Sequence, residues 1–436
     1  MFVVLDLIHF FWIALLADFL IAFIYWRRPL WGLGFVIFFS PLYLIKFQED
    51  WASFTLLESM IIFVFLVWLF KKIREKRIAD FKENFKKIFK SFFGWPIVLI
   101  LGGATLATTF SPDKISSFGI LKSWIIEPLI FAGLVFEEIK NQRQLNLMIR
   151  FLEANVLSLA MVALAYFLAG NLTFDGRLAA FFLSPNHLAM ALAPGLILFF
   201  KEIVIVSSKK NLFFLIGVIS LIVLIFYFTF SYSAWLAVAF SLFFSFLILF
   251  KKEVFSLKSF CFLMAFLVVV FLFLFSLQFF NVKFHDLLFS DRSSWQSRLM
   301  IWRVAGVILK DHWFLGIGPG MFQRLYLDYQ KYFPPYLEWA VPQPHNLFLA
   351  WWLQAGIGGL IGFLWLLKKI FCYFFKKILK PSFKEKDGLS VLVFLFAILI
   401  YWIFHGLVDT PYWKNDLSLI FWAIIALSYK AIRLGG

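Results

Sequence analysis

Runs of about twenty apolar residues follow one another along almost the whole chain, and a run of that length crosses the roughly 30 Å hydrocarbon layer as a helix. Composition agrees with that reading. The chain is 63% hydrophobic and 22% aromatic, with 63 phenylalanines, where a soluble domain is roughly half apolar. The expected fold is therefore an all-α polytopic membrane protein. The first span has no cleavable signal before it and is expected to act as its own insertion signal.

The spans fall at 6–26, 29–45, 52–70, 94–110, 117–136, 147–169, 179–200, 212–230, 234–250, 259–280, 346–367, 389–408 and 417–433. That gives about 12–13 transmembrane helices, the lower number applying if 29–45, short and carrying Pro41, is only re-entrant. No internal repeat divides the sequence, so residues 1–436 read as a single domain.

A net charge of +16 would suggest nucleic acid in a soluble protein, but here its distribution matters more. Residues 71–90 hold nine Lys/Arg against three acids, and residues 368–388 hold seven Lys against two. Arg27-Arg28, Lys209-Lys210 and Lys251-Lys252 add smaller clusters, and all fall on one side of the alternating spans. Such runs set orientation, so this side is expected in the cytoplasm and no nucleic-acid partner is expected. The stretch from Lys71 to Lys90 is amphipathic and suited to the anionic inner leaflet, which makes membrane lipids a partner.

The opposite face receives the one long connection, 281–345, which is nearly charge-balanced with seven basic and five acidic residues. It reads as a large helical periplasmic loop. Ser293 to His312 forms an amphipathic helix capped by Ser293 or Ser294, and a glycine turn and a second helix, about Met321 to Phe333, follow. Pro342 and Pro344 stiffen the approach to His345.

Ionisable residues near the outer membrane face are functional candidates by default. Arg177 closes a short loop and leads into Ser184-Pro185-Asn186-His187; Arg298 lies on the first loop helix; His345 stands at the mouth of an apolar helix beginning at Asn346. Arginine keeps its charge and presents a planar fork of donors that matches phosphate oxygens. Histidine titrates near neutrality and can take a proton from a hydroxyl, while the helix start offers unsatisfied N–H groups. Together they describe a site for a sugar carried on a lipid diphosphate. Plainer roles stand beside these: a span-end arginine as a snorkelling anchor, His345 as an ordinary cap, and Asn186 and His187 as parts of a proline kink. Asp409 either orients an arginine or histidine or is a solvated loop acid, and Lys122 either pairs with Glu127 or meets a lipid phosphate. His312 and His405 read as structural. Cys261 and Cys372 have no neighbour suggesting a metal pair, and metalloprotease, phosphate-loop and dinucleotide motifs are absent, so no cofactor is expected.

Several blocks taken in order resemble the bacterial O-antigen ligase superfamily, which includes O-antigen polymerases and protein O-oligosaccharyltransferases. They are Gly176-Arg177-Leu178, Ser184-Pro185-Asn186-His187-Leu188-Ala189, Ser297-Arg298-Leu299 with Trp302, His312 to Gly320, and His345-Asn346-Leu347 running into Gln354 to Gly359. The resemblance covers about 170–416. It implies an inner-membrane glycosyltransferase with its site facing the periplasm, taking glycan from undecaprenyl diphosphate to lipid A core, a growing glycan or a protein. On that resemblance Arg177 and Arg298 bind the diphosphate and His345 is the base or the group that orients the acceptor, without metal and with inversion at the anomeric carbon. Asn186, His187, Asn346 and Asp409 are supporting candidates. One departure stands out: where many relatives carry a Ser-Arg-Gly turn, this chain has Ser231-Tyr232-Ser233. A flippase of the same lipid is the rival from another class, against which stand the missing repeat and the gathering of charge at one face.

Overall fold

Without water to satisfy their amides, the apolar runs close their own hydrogen bonds, and the protein is an all-α polytopic membrane protein. The computed structural model describes residues 2–49, 52–76, 94–280, 284, 293–334, 338–380 and 386–434. Most of the expected basic amphipathic stretch after Lys76, and the start of the long loop, lie outside them. Among the described residues nine helices are long and apolar enough to span a bilayer.

The helices are α1 (Phe2–Arg27), α2 (Pro29–Phe38), α3 (Leu56–Arg74), α4 (Gly94–Thr109), α5 (Lys114–Glu138) and α6 (Gln142–Leu168). They continue with α7 (Pro185–Ile205), α8 (Lys209–Phe228), α9 (Tyr232–Lys251) and α10 (Leu257–Ser276). In the outer loop come α11 (Ser294–His312) and α12 (Phe322–Tyr329), then α13 (Leu347–Ile378), α14 (Lys386–Gly406) and α15 (Asn415–Leu434).

Three expectations change. The run at 29–45 is not one span: α2 has 10 residues, about 15 Å of rise, before the chain tightens into a 3-10 turn at Ser40–Leu44 around Pro41. The third span starts at Leu56 and not at 52, because Ala52–Thr55 (β2) pairs antiparallel with Lys46–Glu49 (β1). Thr55 then caps α3 by accepting the Glu58 N–H. Lys122 pairs with Glu58 at 2.6 Å and not with Glu127, in a π-helical turn of α5, Lys122–Ile126.

Helix α13 is set in place by close backbone approach to α4. A Cβ on Gly103 would come within 2.5 Å of the Ala355 oxygen and the Gly359 nitrogen, and one on Gly362 within 2.7 Å of the Pro96 oxygen. Only glycine permits this crossing, the small-residue packing that membranes favour where helices touch. Residue Gly356 has φ +66° and breaks α13 into two segments. The glycine turn after α11 fills the break: Ile317 N–H donates to Leu353 O (2.6 Å) and Ile357 N–H to Phe314 O (3.1 Å). The outer loop adds a small core of its own, with Ile301, Val304, Ile308, Phe322 and Tyr326 packed against Leu353 of α13.

Candidate functional site

Five segments deliver side chains to one place at the end of the bundle. A tight turn presents the first: Thr173 N–H donates to Arg177 O (2.9 Å), Arg177 N–H donates to Thr173 Oγ1 (3.1 Å), and Gly176 supplies φ +72°. The Arg177 guanidinium is then held by donation from Nε to Thr229 O (2.7 Å) and from Nη2 to Asn186 Oδ1 (2.5 Å). Burial pulls its pKa down, countered by Asp175, Tyr232 and Asp409. Asn186 occupies the first turn of α7, behind the Ser184 cap and Pro185, and its Nδ2 donates to Asp409 Oδ2 at 3.1 Å.

Asp409 is the hub. It follows the end of α14, 1% exposed, with its own N–H donating to His405 O (2.9 Å) and its Oδ1 accepting from Thr410 N (2.9 Å). His345 Nδ1 lies 3.0 Å from the same Oδ1, and Arg298 Nη2 stands 3.9 Å from Oδ2. Burial alone would raise the Asp409 pKa; the adjacent His345, its hydrogen bond, His405 and Arg298 outweigh that and hold the carboxyl well below the usual range. Arg298 is further fixed by donation from Nε to Val408 O (2.8 Å) and from Nη1 to Ser294 O (3.3 Å).

His345 has φ +45°, uncommon for a residue with a side chain. Trp302 of α11 holds that conformation by donating its indole N–H toward Pro344 O (3.0 Å) and His345 O (3.3 Å). A second support runs from the glycine turn: Gly320 N–H donates to Gln354 Oε1 (2.9 Å), and Gln354 Nε2 donates to Gln343 Oε1 (2.8 Å), two residues before His345. Its side chain remains 30% exposed.

Two candidates are placed differently from the expectation. Asn346 is consumed as the cap of α13, its Oδ1 accepting from Phe348 N (3.0 Å) and Leu349 N (2.9 Å), so those N–H groups do not face a ligand. Its Nδ2 donates to Leu407 O (2.8 Å), which ties α13 to the loop carrying Asp409. His187 turns away from the cluster; its Nε2 lies 3.0 Å from Asp416 Oδ2 and its ring against Phe182. Two residues that sequence reasoning left out or graded low are central here. Trp302 enters the sequence reading only as part of the block Ser297-Arg298-Leu299 with Trp302, without a role, and Asp409 only as a supporting candidate.

Beside the cluster lies a cavity of about 560 Å³. Arg177, Asn186, Arg298, Ser231, Tyr232 and Ser233 line it along with Leu236, Phe240, Phe404 and Leu407. One group of lining residues suits an anion and the other an aliphatic chain. Among the described residues no three His, Cys, Asp or Glu side chains are grouped to hold a metal ion.

Residues 215–364 match the family model described as O-Antigen ligase. Over those residues the chain resembles the O-antigen ligase superfamily. The matched region contains Arg298 and His345, whereas Arg177, Asn186 and Asp409 lie outside it. No curated protein matches the chain significantly. Members of the superfamily are ligase- and polymerase-type glycosyltransferases, and lipid-linked glycans and their acceptors are their partners in general.

Proposed function

We propose that this O-antigen ligase-like protein transfers a glycan from undecaprenyl diphosphate to an acceptor hydroxyl, with lipid A core as the acceptor. The observation that carries the proposal is the Arg177–Asn186–Asp409–His345 chain, with Arg298 beside it, at the edge of a cavity with both cationic and apolar walls. The diphosphate sits against the two guanidiniums, and the polyprenyl chain runs along Leu236, Phe240 and Phe404.

In this mechanism Asp409 Oδ1 accepts a hydrogen bond from the Nδ1–H of His345 and stays ionised, which leaves the unprotonated Nε2 as the base. The acceptor oxygen attacks the anomeric carbon while Nε2 takes its proton. The bond from that carbon to the phosphate oxygen breaks, and its electron pair leaves on the diphosphate. Arg177 and Arg298 compensate the charge that accumulates there. One displacement inverts the anomeric configuration. The active site is read as facing the periplasm, with the protein in the inner membrane.

The test uses purified protein with undecaprenyl-diphosphate oligosaccharide and no other acceptor, products being sized by mass. Product that forms only after lipid A core is added supports the ligase reading. A ladder of longer lipid-linked glycans would mean a polymerase, and product only with added polypeptide a protein glycosyltransferase. Transfer at the native rate by His345→Ala would reject the catalytic assignment.

A further inference from the structure

The cavity has one set of donors that the transfer chemistry leaves unused. Helix α9 starts at Tyr232 behind Ser231, and the Ser231 side chain makes no capping hydrogen bond. Ser231 lines the cavity, is 3% exposed, and its buried Oγ has no hydrogen-bond partner among the described residues. A buried hydroxyl without a partner carries a free-energy penalty that a ligand oxygen would remove.

The backbone around it is held firmly. Ser231 N–H donates to Thr229 Oγ1 (3.3 Å), Ser231 O accepts from Trp235 N (3.0 Å), and Thr229 O accepts from Arg177 Nε (2.7 Å). One turn therefore both fixes Arg177 and presents the start of α9. The first N–H groups of that 20-residue helix have no intrahelical acceptor and form the positive end of its dipole. Tyr232 and Ser233, the first two residues of the helix, line the same cavity as Arg177 and Arg298.

We infer that Ser231 and the N-terminus of α9 form an uncharged subsite for one phosphate of the lipid diphosphate, the other lying against Arg177 and Arg298. The inference rests on the donor reading of the cavity given above. Its physical content is a division of labour. The guanidiniums supply charge, while the hydroxyl and backbone N–H groups supply directed donors that strengthen as charge builds up on the departing diphosphate.

The test is binding of undecaprenyl diphosphate and undecaprenyl monophosphate to the full-length protein in nanodiscs, followed by tryptophan fluorescence. Ser231→Ala is expected to weaken diphosphate binding about tenfold and to change monophosphate binding less than about twofold. Ser231→Thr, which keeps the hydroxyl, is expected to bind both lipids as the native protein does. Equal weakening for both lipids, or for neither, would overturn the subsite. Arg298→Gln is measured in parallel. If it weakens both lipids while Ser231→Ala weakens neither, only the subsite falls; if it too changes nothing, the donor reading falls with it. Should the alanine variant not fold, Ser231→Asp and Ser231→Thr take its place. Loss of diphosphate binding in the first and retention in the second are expected, and native binding by Ser231→Asp would overturn the subsite.

Discussion

Asp409 holds a histidine, an asparagine and an arginine with a single carboxylate, and most of what happens at the site depends on its charge. Its pKa is held below the usual aspartate value of about 4, so the folded state binds fewer protons than the unfolded one. The stabilisation is therefore fully present above about pH 4 and is lost as pH falls below it toward the depressed value. Melting temperatures of native protein and Asp409→Asn should differ at pH 7 and converge as pH drops below about 4; a constant difference would remove Asp409's charge from the account. In turnover, His345→Ala should lower kcat by roughly 10²- to 10⁴-fold, the usual worth of a general base. The Asp409→Asn variant should follow in the same direction with a smaller loss, as expected when only orientation of the imidazole suffers. Sequence alone left Asp409 undecided between orienting group and loop acid, because nothing local reveals that Asn186, 223 positions away, donates to it.

Elements carry the precision of the site. The upper part of α13 is preceded by His345 with φ +45° and ends at Gly356, and the outer loop grips both ends. Trp302→Phe keeps the packing and deletes the indole donor, so kcat should fall several-fold with donor KM little changed, and circular dichroism should not move. A comparable rise in donor KM would place Trp302 in substrate binding. Gly316 has φ +73°, and a Cβ there would lie 2.8 Å from the Gly356 nitrogen, so Gly316→Ala should destabilise the protein by about 2 kcal/mol, read as a lowered melting temperature. Legibility varied at this scale for physical reasons. Helix α11 and its Ser293 cap followed from amphipathic spacing and cap chemistry. The glycine run was legible as a turn, yet its partner, the break in α13, was invisible, since an apolar run looks the same with or without a left-handed glycine. The hairpin at 46–55 was hidden in the same way, because apolar length alone does not separate a short strand from the start of a span.

At the scale of the whole molecule the helical class was written in the hydropathy, and the weak point in the count was marked by Pro41. Helix α2 is too short to cross a bilayer, which is the re-entrant alternative for 29–45. The arrangement also bears on cofactors. With no grouped metal ligands among the described residues, transfer by the purified protein should survive a chelator. Loss of activity that one divalent ion alone restores would show that charge on the diphosphate is compensated by metal as well as by Arg177 and Arg298.

The hub carboxylate stands at position 409, between the last two helices, while Arg177 and Asn186 precede α7 or open it. A chain emerging from the ribosome inserts its helices in order. The proposed donor-pocket wall from α9 would be in the bilayer, and α11 already made in the outer loop, before the residue that aligns the base has been synthesised. A half-made protein could thus encounter the lipid carrier without spending it, and catalytic competence would arrive only with the final pair of helices.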